Sequence, residues 1–197
     1  MLIHAIIARS RVNGPGARAI VYVQGCNLGC SGCWNPATHA FGGPNRSIES
    51  VAAELLRNRD LDGVTFSGGE PMQQVSELLA LVRCLKRTRS DLSIGLYSGY
   101  TERELESGAY STRDSIDQQT RSEVWADLRS QIDFAVLGRF VAARPSRLPL
   151  RTSANQTLRL FGARYRESDF DSQECEVQIA PEGFVQITGF PLAGPPA

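Results

Sequence analysis

Short runs of apolar, β-branched residues alternate with helical stretches along this chain, and the alternation constrains its fold more than any other feature. Such an order is typical of βαβ units, which build a mostly parallel sheet in an α/β fold. Ligands of such sheets bind at the carboxyl ends of the strands. Strands are predicted at residues 2–8, 19–23, 63–66, 92–97 and 134–137, and helices after Ser47, over residues 75–88, from Thr101 and around residues 124–128.

The size and hydrophobic content of the chain fit one folded domain over residues 1–197. Its 197 residues, with 42% hydrophobic content, are enough for one core. Two segments depart from the alternation of strand and helix. The stretch of about residues 106–123 is polar and weakly patterned, which indicates an insertion, and about residues 174–190 are predicted to form a C-terminal hairpin.

The charge balance and the beginning of the chain limit the classes of partner and the location. The 21 basic and 21 acidic residues cancel, so no global field attracts nucleic acid or an anionic membrane. Residues 1–9 do not resemble a secretory leader, and no apolar run approaches the ~18 residues that span a bilayer. We therefore predict a cytoplasmic protein with neither nucleic acid nor a membrane as its partner.

Three of the five cysteines lie close together in the sequence, at Cys26, Cys30 and Cys33. In a reducing compartment such crowding indicates metal or redox chemistry rather than disulfides. Three thiolates satisfy three irons of a cubane cluster and leave the fourth iron open for an exogenous ligand. The alternative is a structural zinc site, which needs a fourth ligand. The candidates for that ligand are His39, Cys84 and Cys175.

The spacing CxxxCxxC directly after a predicted strand resembles the radical S-adenosylmethionine superfamily. The resemblance implies that Cys26, Cys30 and Cys33 hold a [4Fe–4S] cluster on a minimal, single-domain, partial (βα)6-type TIM barrel. It also implies S-adenosylmethionine as second cofactor, cleaved to methionine and a 5′-deoxyadenosyl radical that abstracts a hydrogen atom. The protein would orient these cofactors and exclude water. The three cysteines are therefore the predicted catalytic and metal-binding residues.

A second motif, Ser67-Gly68-Gly69-Glu70-Pro71, follows a predicted strand and resembles the GGEP element of that superfamily. The resemblance implies contact with the methionine amino group, because a backbone with two glycines approaches a small ligand closely. Glu70 is expected either to orient the ammonium group or to hold the loop. The alternative is an ordinary strand-to-helix turn with Glu70 near a helix N-terminus.

Further cofactor-binding residues are expected beside the cluster loop and after the next strand. Trp34 and Asn35 follow the third cysteine, where the superfamily commonly has an aromatic residue beside the adenine. A buried core tryptophan is the alternative. Ser98 and Gly99 follow the strand at residues 92–97 and are expected to approach the ribose or the methionine carboxylate, unless they form a plain turn.

Within the superfamily the chain looks most like the small activating enzymes of glycyl radical enzymes, above all those of anaerobic ribonucleoside-triphosphate reductase. The likeness implies hydrogen abstraction from a backbone glycine of a large partner of that type. It also implies that Asp133 and Arg139, with Asn155 and Gln156, lie at the opening and bind cofactor or partner. The alternatives are that Asp133 caps a strand, that Arg139 is a surface cation, and that Asn155 and Gln156 satisfy the hydrogen bonds of a loop. The similar segments are residues 12–18, 25–35, 67–71, 97–101, 133–140 and 153–156.

Two other functions stay open at this point. The insertion and the long tail beyond Gln156 allow a radical enzyme that acts directly on a peptide or a small molecule. A non-catalytic metal-binding module is the second alternative. No flavin or nicotinamide fingerprint occurs in the sequence, so a flavodoxin or ferredoxin is expected to deliver the electron.

Overall fold

The computed structural model describes residues 1–170, 175–179, 182–183 and 185–189. Six strands form the central sheet and two more form a small second sheet. The strands are β1 (Ile3–Ser10), β2 (Arg18–Val23), β3 (Gly63–Gly68), β4 (Ser93–Ser98), β5 (Phe134–Leu137), β6 (Thr157–Leu160), β7 (Cys175–Ile179) and β8 (Val185–Gly189). The helices are α1 (Ile48–Arg57), α2 (Val75–Thr88), α3 (Glu102–Glu106) and α4 (Gln118–Arg129), and short 3₁₀ helices lie at Pro36–Thr38, Pro71–Gln74 and Glu167–Asp169.

The central sheet is mostly parallel and its six strands lie in chain order. Strands β2 to β5 are parallel, while β1 and β6 are antiparallel to their neighbours at the two edges. The predicted α/β fold with a mostly parallel sheet is confirmed. A closed barrel is not found in the described part of the chain, and the (βα)6 form of the fold stays a prediction. Strand β1 is antiparallel to β2 because a short turn, and not a crossover helix, joins the two strands.

The helices cover the sheet with their apolar faces. The Ser47 side chain caps α1 by accepting a hydrogen bond from the Ser50 amide at 3.1 Å, as the sequence pattern predicts. Helix α2 occupies the predicted residues, and its apolar face is buried in the core. Helix α4 is longer than the predicted turn because Asp117 caps it, with its Oδ1 accepting from the Thr120 amide at 2.7 Å.

The small sheet of β7 and β8 packs on the end of β1. The Thr188 and Ser10 hydroxyls lie 3.0 Å apart, and the Arg11 amide donates to Glu176 Oε2 at 2.9 Å. Of the predicted hairpin at about 174–190, residues 174, 180, 181, 184 and 190 lie outside the described residues. No described helix has the length and apolarity needed to cross a membrane.

The parallel strands end together at one edge of the sheet, where the sequence motifs follow them. The last residues of β2 and β3, Val23 and Gly68, are paired in the sheet. Ser98 ends β4 and is paired with Leu137, the last residue of β5. The cysteine loop, the turn at residues 67–71 and the turn at residues 98–100 therefore converge at this carboxyl edge.

Candidate active site

A cavity that is open to solvent lies at the carboxyl edge of the sheet. The loops that follow four different strands contribute to its wall. The lining residues are Cys26, Leu28, Cys30, Cys33, Trp34, Asn35, His39, Ser67, Gly68, Gly69, Glu70, Tyr97, Ser98, Gly99, Val136, Gly138, Phe140, Thr152 and Gln156.

All three cysteines of the CxxxCxxC motif border this cavity. Gly29 and Gly32 have φ angles of 65° and 70°, in the left-handed region, so the backbone turns tightly between the thiols. The Cys26 amide donates to the His39 carbonyl at 3.0 Å, which ties the beginning of the loop to the chain that follows it. The loop thus presents three sulfur ligands to one space.

Burial raises the pKa of two of these thiols, Cys26 and Cys30. It raises the pKa of Cys26 to about 11, and it also raises the pKa of Cys30 against the opposing hydrogen bond from the Phe140 backbone. Both thiols are therefore protonated at neutral pH and must lose a proton to bind a metal. No three His, Cys, Asp or Glu side chains in the described ranges are arranged to hold a single metal ion.

Glu70 joins two of the loops around the cavity. Its carboxylate accepts hydrogen bonds from the Met72 amide at 2.9 Å, the Ser98 hydroxyl at 2.8 Å and the Gly99 amide at 2.7 Å. Burial raises the pKa of Glu70 to about 7, and these hydrogen bonds oppose the rise. Of the two roles expected for Glu70, these contacts favour holding the loop, because both carboxylate oxygens already accept from the protein.

The two glycines of the second motif allow close contact between backbone segments. A Cβ atom at Gly69 would overlap the carbonyl oxygen of Gly25 and lie 2.9 Å from its carbonyl carbon. The Glu70 amide donates to the same carbonyl oxygen at 2.9 Å. Gly25, which precedes Cys26, is thus in direct contact with the turn at residues 67–71. Any side chain at position 69 would separate this turn from the cysteine loop.

We expect Gly69→Ala to reduce iron and sulfide retention after anaerobic reconstitution, because the added methyl group pushes the cysteine loop out of place. A backbone shift of this kind costs about 1–3 kcal/mol. Metal and sulfide analysis after gel filtration measures the loss. Gly42→Ala is the matched control, since a Cβ there meets nothing within 4 Å. Full retention by the Gly69 variant would contradict the assigned packing.

Gln73 ties the cysteine loop to the predicted insertion. Its buried side-chain amide donates to Asn27 Oδ1, to the Tyr100 hydroxyl at 3.1 Å and to the Ser111 hydroxyl at 3.0 Å. Its side-chain oxygen accepts from the Asn27 amide at 3.3 Å. Its backbone carbonyl accepts from the Arg113 amide at 2.8 Å. The segment around residues 111–113 therefore packs behind the loop that carries Cys26 and Cys30.

Eight of the ten residues predicted to bind cofactor line the cavity. They are Trp34, Asn35, Ser67, Gly68, Gly69, Glu70, Ser98 and Gly99. Trp34 packs edge-on against Phe140, with ring centroids 6.3 Å apart. The two aromatic rings form an apolar part of the wall next to Cys33.

Asp133 lies far from the cavity, at the amino end of β5, and this placement corrects its predicted role as a cofactor ligand. Its Oδ2 accepts from the Ile94 amide at 2.7 Å and lies 3.8 Å from Lys86 Nζ. The physical reason is strand direction, because the residue before a parallel strand lies at the edge opposite to its carboxyl end. The strand-cap alternative describes Asp133 correctly.

Arg139 lies on the rim beside the turn at residues 98–100. It donates to Glu104 Oε2 at 2.8 Å and to the Gly99 carbonyl at 3.2 Å, and its guanidinium lies 5.2 Å from the centre of the Tyr100 ring. Asn155 donates to the Arg139 carbonyl at 2.8 Å. The Gln156 side-chain Nε2 donates to the Gly138 carbonyl at 3.1 Å. These contacts hold the loops of the rim.

Sequence reasoning did not single out several residues of the cavity wall as cofactor ligands. Most of them carry no chemical signature, and only their position at a strand end or in the cysteine loop signals a role. His39 was noted as a possible zinc ligand. The other residues missed are Leu28, Tyr97, Val136, Gly138, Phe140 and Thr152.

The chain is similar to one protein family and to several individual proteins. Residues 12–159 match the family described as "4Fe-4S single cluster domain". The chain is 33% identical over 159 residues to the anaerobic ribonucleoside-triphosphate reductase-activating protein of Vibrio cholerae, covering 76% of this chain and 92% of that protein. The corresponding protein of Haemophilus influenzae is 30% identical with the same coverage.

A second group of relatives matches over a shorter region. The pyruvate formate-lyase-activating enzyme of Clostridium pasteurianum is 41% identical over 90 residues, which is 43% of this chain and 38% of that enzyme. The match thus spans well under half of the Clostridium enzyme. The family match covers the cavity and its three cysteines, and the chain therefore belongs to the 4Fe–4S single cluster domain family, together with activating proteins of glycyl radical enzymes.

Proposed function

We propose that this protein is a radical S-adenosylmethionine enzyme that activates a glycyl radical enzyme of the anaerobic ribonucleotide reductase type. In this proposal Cys26, Cys30 and Cys33 hold a [4Fe–4S] cluster. The protein folds as a partial (βα)6 barrel and works in the cytosol. The observation that carries the proposal is the convergence of three thiols and the turn at residues 67–71 on one cavity, in a chain of the 4Fe–4S family. The names of the relatives support the choice of partner.

The donor set fits such a cluster. Three thiolates leave one iron without a protein ligand, and the cavity wall shown above contains no fourth cysteine among the described residues. When bound, the cluster and S-adenosylmethionine supply a one-electron cleavage that yields methionine and a hydrogen-abstracting 5′-deoxyadenosyl radical. The protein's own contribution is to bind, to orient and to keep water away.

The turn at residues 67–71 provides backbone groups for the methionine end of the cofactor. Ser67, Gly68 and Gly69 border the cavity with little side-chain bulk. The hydrogen bonds from Ser98 and Gly99 to Glu70 hold this turn against the neighbouring loop, which pre-organises it for the cofactor.

Aromatic residues supply the water-excluding part of the wall. Trp34 and Phe140 stand beside the cysteine loop and present apolar surface to the cavity. A dry site protects a reactive intermediate from side reactions. This is the role we assign to the pair.

The test is formation of a glycyl radical in a partner protein. The anaerobically reconstituted protein, S-adenosylmethionine and dithionite are mixed with an anaerobic ribonucleotide reductase from the same organism. We expect a glycyl radical doublet in the electron paramagnetic resonance spectrum, and formation of 5′-deoxyadenosine. Turnover of a peptide or metabolite without any glycyl radical would contradict the proposed partner and favour direct action on a small substrate.

A flavodoxin or ferredoxin is proposed as the physiological electron donor. The reaction consumes one electron for each cleavage, and the matched family carries a single cluster. An external one-electron carrier therefore has to reach the protein surface near the cysteine loop.

A further inference from the structure

Residues 140–152, called here the arginine loop, carry a local excess of positive charge. They include three arginines, Arg144, Arg147 and Arg151, and no aspartate or glutamate. The whole chain has 21 basic and 21 acidic residues, so this excess is a property of the loop and not of the protein. A concentrated patch of one sign steers oppositely charged partners toward it.

The arginines of this loop are not neutralised by neighbouring carboxylates. Arg144 and Arg147 are exposed, and none of the three arginines has an ion pair within the described part of the chain. Two arginines just outside the loop differ from them. Arg139 pairs with Glu104 at 2.8 Å, and Arg159 pairs with Glu102 at 3.0 Å. The arginine loop therefore places three cations without an ion pair in the described structure within eight residues of the chain, with no acidic residue between them.

The loop adjoins the cluster-binding side of the cavity. The Phe140 backbone forms a hydrogen bond to the Cys30 thiol, and a Cβ atom on Gly32 would lie 3.5 Å from Ala142 Cβ. The first residues of the arginine loop therefore lie next to the cysteine loop.

The base of the loop is fixed to the rest of the protein. The Ala154 amide donates to the Arg144 carbonyl at 2.7 Å, and the Val141 amide donates to the Ser153 hydroxyl at 3.2 Å. Leu148, between the arginines, has 53% of its surface exposed. The loop thus carries three cations without an ion pair in the described ranges and one exposed leucine side chain, and backbone contacts fix its base.

We propose that the arginine loop is the docking surface for an acidic protein that carries one electron. This inference rests on the proposed function, because it gives the cluster a source of electrons. One electron leaves the reduced carrier, which is oxidised, and enters the cluster, which is reduced, while no bond forms or breaks. Electron-transfer complexes bury little surface and depend on electrostatic steering, which suits a small patch of exposed, unpaired arginines.

The activated enzyme is the other protein that must approach the carboxyl edge of the sheet, and its binding requires a different kind of surface. It has to insert a backbone glycine into the cavity, which requires shape complementarity around the opening rather than charge beside it. The arginines lie outside the cavity wall, where only Phe140 and Thr152 of the loop contribute. The arrangement therefore favours the electron carrier as the occupant.

The experiment compares reduction of the reconstituted cluster by reduced flavodoxin and by dithionite, in stopped-flow absorbance at low salt. In the double variant Arg144→Glu/Arg147→Glu we expect the flavodoxin rate to fall about tenfold or more. We expect the dithionite rate, and 5′-deoxyadenosine formed with dithionite, to stay at the wild-type level. Added salt should slow the wild type and have little effect on the variant.

The matched control is Arg59→Glu/Arg87→Glu, which reverses two exposed arginines that have no ion pair among the described residues and lie near the amino edge of the sheet. This control should be reduced by flavodoxin at the wild-type rate. An unchanged flavodoxin rate in the arginine-loop variant would overturn the proposal. Slower reduction of this variant by dithionite would also overturn the proposal, because it would assign the arginines to the cluster site. Weaker binding of the activated enzyme to this variant, with normal electron transfer from flavodoxin, would overturn it as well. Failure of wild-type protein to cleave S-adenosylmethionine with dithionite would instead overturn the proposed function.

Discussion

Replacing Cys30 with alanine is expected to lower 5′-deoxyadenosine formation by at least about a thousandfold. The three cysteines bind the cluster together, so the loss of one of them removes most of the activity that depends on all three. Cys30 is one of only three sulfur ligands in the described cavity wall. With two thiolates left, the cluster loses a ligand for one iron and is no longer held as a cubane with a single open iron. Quantification of 5′-deoxyadenosine by liquid chromatography, after anaerobic reconstitution and addition of dithionite, measures the effect.

Cys84→Ala is the matched control for this experiment. Cys84 lies on α2, partly buried and outside the cavity wall, so its replacement should leave both the iron content and the activity near the wild-type level. A Cys30→Ala protein that retained the full iron content and cleaved the cofactor would remove the basis of the assignment. Loss of iron in the Cys84 variant would show instead that this residue is a further ligand of the iron site.

Glu70→Gln is expected to give the second large effect, on stability as well as on activity. The carboxylate accepts three hydrogen bonds, and the amide nitrogen of glutamine cannot accept any. At least one buried donor, on Met72, Ser98 or Gly99, is left unsatisfied, which costs about 1–3 kcal/mol. We expect the free energy of unfolding of the metal-free protein in urea to fall by about that amount. Glu49→Gln, at an exposed site in the first turn of α1, is the control.

The same variant should change the pH dependence of stability. Burial raises the pKa of Glu70 from 4.5 to about 7, so between these values the folded state binds more protons than the unfolded state. This contribution to stability is present at low pH and is lost as the pH rises toward 7. The advantage of wild type over Glu70→Gln should therefore be larger at pH 5 than at pH 8. An advantage that grew with pH would show that the carboxylate is stabilised in its charged form.

Much of the fold follows from local patterns that the sequence displays. The Ser47 cap and the apolar spacing of α2 predict helices where the structure has them. Strand β6 (Thr157–Leu160) is not predicted, because it is an edge strand of four residues, none of which is fully buried, so its pattern is weak. The predicted helix is shorter than α4 because only two residues of α4, Trp125 and Leu128, are buried, so the apolar pattern covers only part of its length.

The candidate site was less predictable where it depends on contacts between distant segments. The placement of the cysteines and of residues 67–71 could be predicted because each follows a strand of a parallel sheet. The hydrogen bonds of Glu70 could not, since two of its donors come from the loop after β4. The contact of Gln73 with Asn27 joins residues 46 positions apart. Asp133 was assigned from a resemblance, although its position before a strand already indicated the opposite edge.

The most direct test of the account is electron paramagnetic resonance of the anaerobically reconstituted, dithionite-reduced protein, recorded with and without S-adenosylmethionine. If Cys26, Cys30 and Cys33 hold a cluster with an open iron, the protein will contain iron and sulfide in equal amounts. Its reduced-cluster signal will then change when S-adenosylmethionine is added. A protein that binds zinc through four ligands and takes up no iron, or one whose cluster signal is unaffected by S-adenosylmethionine, would contradict the account.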